Sequence, residues 1–100
     1  MNPVDEGACL HAWVEGRVQG VGFRYFVQAE AQQLNITGWV RNVDDDRVEV
    51  WAEGKQLDLT QLINSLQRGP SAAYVSDVQV EWETPKGSYL GFQIISSGWF

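Results

Sequence analysis

The spacing of apolar residues switches back and forth along this chain between two and about 3.6 positions, and that series of switches limits the architecture more than any other feature. Ala8, Leu10, Ala12 and Val14 alternate with Cys9, His11, Trp13 and Glu15, which is the period of a strand. From Phe23 onward Phe23, Val27, Ala31 and Leu34 recur every three or four residues, with Gln28, Glu30, Gln32 and Gln33 between them, which is the period of a helix. Between the two lies a loop, residues 16–22, containing Gly16, Gly20 and Gly22.

The pattern then repeats in kind. Residues 36–43 form a second predicted strand, with Ile36, Gly38, Val40 and Asn42 on one side and Thr37, Trp39 and Arg41 on the other. Asp44, Asp45 and Asp46 make a turn, because Asp tolerates the left-handed conformations that turns need. In the third strand Val48, Val50 and Ala52 face in, while Arg47, Glu49, Trp51 and Glu53 face out. Leu59, Leu62, Ile63 and Leu66 mark a second helix. Asp58 with Gln61 supplies its start signal and Gly69-Pro70 its stop. Val78, Val80 and Trp82 alternate with Asp77, Gln79, Glu81 and Glu83 in a fourth strand. Residues 84–87 are a turn or loop, and residues 89–96, with Phe92 and Ile94, a short fifth strand.

No repeat, linker or low-complexity segment interrupts this order. Two helices can cover only one face of such a sheet. The predicted fold is therefore α+β, a ferredoxin-like β-α-β-β-α-β sandwich. Its sheet has four to five mainly antiparallel strands, with both helices on one face and the other face open. One hundred residues, 44% of them apolar, suffice for one domain with one core.

Thirteen acids oppose seven bases, a formal charge of −6. Nucleic-acid binders carry a basic footprint, which this chain lacks. A small anion can still bind where a few amides and arginines converge, because other charges are screened beyond about 8–10 Å. One cysteine, Cys9, excludes an internal disulfide and is read as a small buried or half-buried apolar residue. Residues 1–7 have no leader pattern and no run is long enough to span a bilayer, so a cytoplasmic protein is expected.

Gly16-Arg17-Val18-Gln19-Gly20-Val21-Gly22-Phe23-Arg24 is the segment that carries chemistry. Glycines let successive amides turn inward, and a helix start adds unpaired N–H groups with a partial positive charge. Such a nest suits phosphate, and Arg24 in the first turn can fold a bidentate fork over it. The Walker loop is excluded, since no Lys followed by Ser or Thr is present. The dinucleotide fingerprint fails because Tyr25 stands where its third glycine is required. On spacing alone, a tight turn with a surface arginine remains the other reading.

These nine residues resemble the signature of the acylphosphatase family, of the small bacterial type. Gly38-Trp39-Val40-Arg41-Asn42 is similar to that family's second signature, and Gly69-Pro70 with Ala73 and Val75 to a third. Phe92-Gln93-Ile94 is similar to its last strand. The resemblance covers residues 9–97, nearly the whole chain, and implies one domain over residues 9–98. It implies that Arg24 binds phosphate and Asn42 is catalytic. It also implies that the amides of Gln19, Gly20, Val21, Gly22, Phe23 and Arg24 hold the phosphoryl oxygens. The reaction implied is hydrolysis of the carboxyl–phosphate bond of an acyl phosphate, without a cofactor. Independently, Asn42 falls on the inward side of its strand, where a plain strand has Val or Ile. The alternative for it is a strand-end Asn capping the turn. Relatives commonly place glycine near Asp46, so a positive φ is expected there.

An acyl phosphate is a reactive anhydride, so the enzyme must position a water and stabilise equatorial charge. Asn42 cannot be a base. His11, beside Trp13 on the face opposite Leu10, is read as structural or at the surface. No metal site is legible, since the aspartate triplet lacks the spacing of a calcium loop. Arg17 and Arg41 are read as solvent-facing, with enrichment of the anion's surroundings as the alternative. Three rival functions follow: a non-catalytic phosphate-binding module, a module of a carbamoyl-phosphate-handling protein, and a single-stranded RNA binder using Trp13, Trp39 and Trp51 on the open face. The bland reading of those tryptophans is mutual shielding or a dimer contact. The expected partners are a small acyl phosphate and inorganic phosphate, with no nucleic acid or membrane, for a monomer.

Overall fold

The computed structural model describes residues 7–96. The readings made on residues 1–6 and 97–100, including the last positions of the 9–98 domain, lie outside them. Seven elements follow in order: β1 (Gly7–Arg17), α1 (Phe23–Gln33), β2 (Thr37–Val43), β3 (Arg47–Lys55), α2 (Gln56–Arg68), β4 (Tyr74–Glu83) and β5 (Phe92–Ile94). The sheet order is β4-β1-β3-β2-β5. β3 pairs antiparallel with both β1 and β2, so those two run parallel with β3 between them. β4 closes one edge antiparallel to β1, and β5 the other edge parallel to β2. The predicted ferredoxin-like sandwich is the observed one.

The alternation assigns the helix-covered face. Leu10, Ala12 and Val14 of β1, Val40 of β2, and Val48, Val50 and Ala52 of β3 are fully buried. They form one core with Phe23, Val27 and Ala31 of α1 and Leu59, Leu62 and Leu66 of α2. Truncating one such leucine costs about 2–5 kcal/mol. α1 ends one residue before Leu34. Asn35 adopts a left-handed φ of 57° and Ile36 N–H reaches back to Ala31 O at 2.9 Å. That double-back closes the helix with Asn in the place glycine usually takes. α2 begins at Gln56, directly after β3, so Asp58 sits inside the first turn rather than before it. There it opposes the positive helix end, as Arg68 in the last turn opposes the negative one.

The helix-free face is not open as the pattern predicts. Cys9, Glu49, Trp51 and Glu53 on it are all buried. Trp51 and Glu53 are covered by the segment joining β4 to β5, which crosses this face, while Glu49 is held by His11 and Arg41. Lys86 N–H and Gly87 N–H each donate to the Glu53 carboxylate at 3.0 Å, and Lys86 Nζ lies 4.7 Å from the Trp51 ring centre. Tyr89 accepts from Trp39 Nε1 at 3.3 Å. Burial opposes ionisation of Glu53, but the Trp51 indole and the two amides outweigh it and hold the carboxyl below its usual range. This crossing uses up residues 84–91, which shortens the fifth strand from the predicted 89–96 to three residues.

Gly38 shows how tightly β2 is packed. Its φ is +140°, and a Cβ would stand 1.8 Å from Trp51 O. Gly38→Ala combines backbone strain of about 1–3 kcal/mol with overpacking of a similar size. A loss of at least about 2 kcal/mol is expected, read as a fall of roughly 10 °C or more in melting temperature. An unchanged melting curve would contradict this packing.

Candidate active site

Gly16 and Phe26 bracket the glycine loop. Gly16 N–H donates to Asp46 O and Phe26 N–H to Gly22 O, each at 3.0 Å. Between them, among the described residues, no N–H from Gln19 to Tyr25 donates to another backbone group. Val18 and Phe23, both buried, tie the two ends of the loop into the core. Gly20 and Gly22 carry φ values of 74° and 78°, the left-handed turns that glycine makes without strain. Gly22 is also the first residue of the helix cap, with no side chain satisfying the amides beyond it. Unpaired amides at a helix start are the kind of group from which the sequence reading expected an anion site to be built.

Arg24 sharpens that reading. α1 has no acid in its first turn, and a cation there faces the positive end of the helix dipole. In an empty site this is unfavourable by about 0.3–1 kcal/mol. Among the described residues Arg24 makes no ion pair. α2 follows the opposite rule with Asp58 and Arg68. A bound anion removes the conflict at α1.

Asn42 lies at the end of β2, paired with Val48. It shares the parity of Gly38 and Val40 and so faces the helix side of the sheet. Its Oδ1 is buried and has no hydrogen-bond partner among the described residues. Leaving such an oxygen unsatisfied costs about 1–3 kcal/mol, which an apolar residue would avoid. It caps nothing in the Asp turn, so the strand-end capping role is set aside. The loop is held against this end of β2 by the Gln19 side chain. Gln19 Nε2 donates to Asp44 O and Arg47 O at 2.9 Å and lies 3.3 Å from Val43 O. Sequence reasoning assigned Gln19 only through its backbone amide and missed this bond set.

The positive φ in the turn belongs to Asp44, at 57°, and not to Asp46. Arg47 stabilises it, since Nε donates to Asp44 Oδ2 at 2.9 Å. Among the described residues no group of three or more His, Cys, Asp and Glu is placed to hold a metal.

The remaining candidates fall on the other face of the sheet. His11 Nε2 bonds Glu49 Oε2 at 2.5 Å, while Arg41 Nε donates to Glu49 Oε1 at 2.7 Å. The sheet therefore stands between Arg41 or His11 and Asn42. The His11 ring lies 4.0 Å from Trp13, 5.1 Å from Trp51 and 6.2 Å from Trp39, centre to centre. The tryptophans thus pack around a histidine and a buried carboxylate. Cys9 is fully buried, and burial, then Glu53 and Glu83, push its thiol up to about 12 against an opposing effect of Lys86. It is no nucleophile at neutral pH.

The acylphosphatase family model matches residues 10–94. The acylphosphatase of Bacillus licheniformis is 56% identical over 81% of this chain and 90% of its own. The crystal structure of acylphosphatase from Bacillus subtilis has a TM-score of 0.84 at 40% identity, covering 88% of this chain and 98% of that one. Full-length HypF, solved in a phosphate- and nucleotide-bound form, contains a similar unit. The match has a TM-score of 0.84 at 31% identity, and covers 92% of this chain but 12% of that one.

Proposed function

The chain belongs to the acylphosphatase family, and we propose that the amides of residues 19–24, the Arg24 guanidinium and the Asn42 carboxamide perform its hydrolysis of acyl phosphates. The carrying observation is a loop of amides, unpaired among the described residues, braced against a strand whose Asn42 oxygen is buried and has no partner among them. The amides and Arg24 take the phosphoryl oxygens, where equatorial charge builds in the transition state. Asn42 Oδ1 accepts a hydrogen bond from a water and leaves a lone pair of that water facing phosphorus. The water oxygen bonds to phosphorus as the bond to the acyl oxygen breaks, and the carboxylate departs with the electron pair. With His11 on the far face, the water proton goes to a phosphoryl or carboxylate oxygen of the substrate itself.

We extend the reading to a cytoplasmic monomer that acts on a small acyl phosphate, with no nucleic-acid partner and no metal. The charge of −6 and the packed state of the tryptophans support the small anion over a nucleic acid. No helix of the described residues is long and apolar enough to cross a membrane. The test is hydrolysis of benzoyl phosphate with and without EDTA. Equal phosphate release in both, well above the spontaneous rate, is expected. No release above the spontaneous rate would sink the assignment, and loss in EDTA would sink its metal-free form.

A further inference from the structure

The acidic turn between β2 and β3 presents a converging set of carbonyl oxygens to the phosphate loop. Val43 O, Asp44 O and Arg47 O all lie 2.9–3.3 Å from the single atom Gln19 Nε2. A fourth, Asp46 O, accepts the N–H of Gly16 at 3.0 Å. Aligned carbonyl dipoles pointing at one place repel each other unless a donor occupies it. A primary amide carries two N–H groups, enough to fill the two shorter contacts and share the third. The turn is set in this form by the left-handed Asp44 and its bond from Arg47.

The two halves of the proposed site lie on different segments. The phosphate ligands belong to the loop between β1 and α1 and to the first turn of α1, whereas Asn42 lies near the end of β2, one residue before Val43. Apart from the Gly16 contact at the loop's entrance, among the described residues Gln19 supplies the hydrogen bonds between this loop and the turn. We infer that the Gln19 side chain is a positioning residue for acyl phosphate hydrolysis, fixing the separation between the loop-bound phosphorus and the water on Asn42. This inference rests on the roles proposed above for the loop and Asn42. Its backbone amide stays free for the anion because the side chain, not the main chain, makes the brace. A misplacement of about 1 Å between reacting groups can lower a rate about 10²-fold.

The test compares Gln19→Met and Gln19→Glu with the wild type, using benzoyl phosphate as substrate and inorganic phosphate as competitive inhibitor, with circular dichroism confirming the fold. Gln19→Met keeps the length and removes the donors. Its kcat is expected to fall about 10–10²-fold. Its phosphate inhibition constant should stay within about threefold, because the anion's ligands lie in the loop and the first turn of α1 and do not include the Gln19 side chain. Gln19→Glu sets a carboxylate among the carbonyls and is impaired at neutral pH. Its rate relative to wild type should recover as pH falls and the protonated carboxyl regains a donor. A merely structural residue would lower the melting temperature without this pH-dependent recovery.

The inference is overturned if folded Gln19→Met retains kcat within about twofold, or if kcat and phosphate affinity fall together. A flat ratio for Gln19→Glu across pH overturns it as well, and that variant decides the matter if Gln19→Met does not fold. Wild-type protein that is inactive, or active without Arg24, would instead refute the underlying site. Arg24-dependent activity with an unimpaired Gln19→Met would refute the brace alone.

Discussion

Arg24→Ala is expected to lower kcat/KM for benzoyl phosphate by about 10³-fold or more, and to leave the protein at least as stable as before. The first effect follows from charge. A guanidinium on a transferring phosphoryl group is typically worth about 10³–10⁵ in rate, more than a single neutral donor. The second follows from where the residue sits. Arg24 stands at the positive end of α1 without an ion pair among the described residues. Removing it relieves a repulsion of about 0.3–1 kcal/mol in the empty protein. Inorganic phosphate should also bind more weakly. Steady-state kinetics and thermal unfolding with and without phosphate check all three. A folded Arg24→Ala protein with wild-type kinetics would contradict the assignment.

Asn42→Ala is expected to lose about 10²–10³ in kcat, the usual effect of removing one preorganised polar group at the reacting centre. Its pattern should differ from that of Arg24→Ala. Asn42 touches the water and not the bound phosphate, so inhibition by inorganic phosphate is retained. Stability should be unchanged or rise, because the substitution removes a buried oxygen with no partner among the described residues. Loss of turnover with a gain in stability marks a residue kept for function against the local rules of packing.

Both residues were singled out in the sequence, on different grounds. Arg24 follows the glycine loop and takes its proposed role from the resemblance to the family signature, whereas Asn42 also breaks a local rule as a polar residue on the apolar side of a strand, which can be read without coordinates. The strands and helices were legible because burial on one face imposes a period. The Asp58 start of α2 was misplaced, since β3 runs into the helix without a capping side chain. The covered sheet face was missed because residues 84–91 have no periodicity. What seats them is a carboxylate, Glu53, that looks like an outward surface residue in the sequence. The Gln19 brace was hidden for a related reason: its acceptors are backbone carbonyls, which carry no residue identity. The left-handed position expected of Asp46 is taken by Asp44, whose carboxylate accepts a bond from Arg47.

The division of labour between loop and strand is tested most directly by titrating ¹⁵N-labelled protein with inorganic phosphate and following the backbone amides. Saturable shifts are expected, concentrated on residues 19–24, abolished or strongly weakened in Arg24→Ala and preserved in Asn42→Ala. Shifts centred elsewhere on the molecule, or equal loss of binding in both variants, would contradict it.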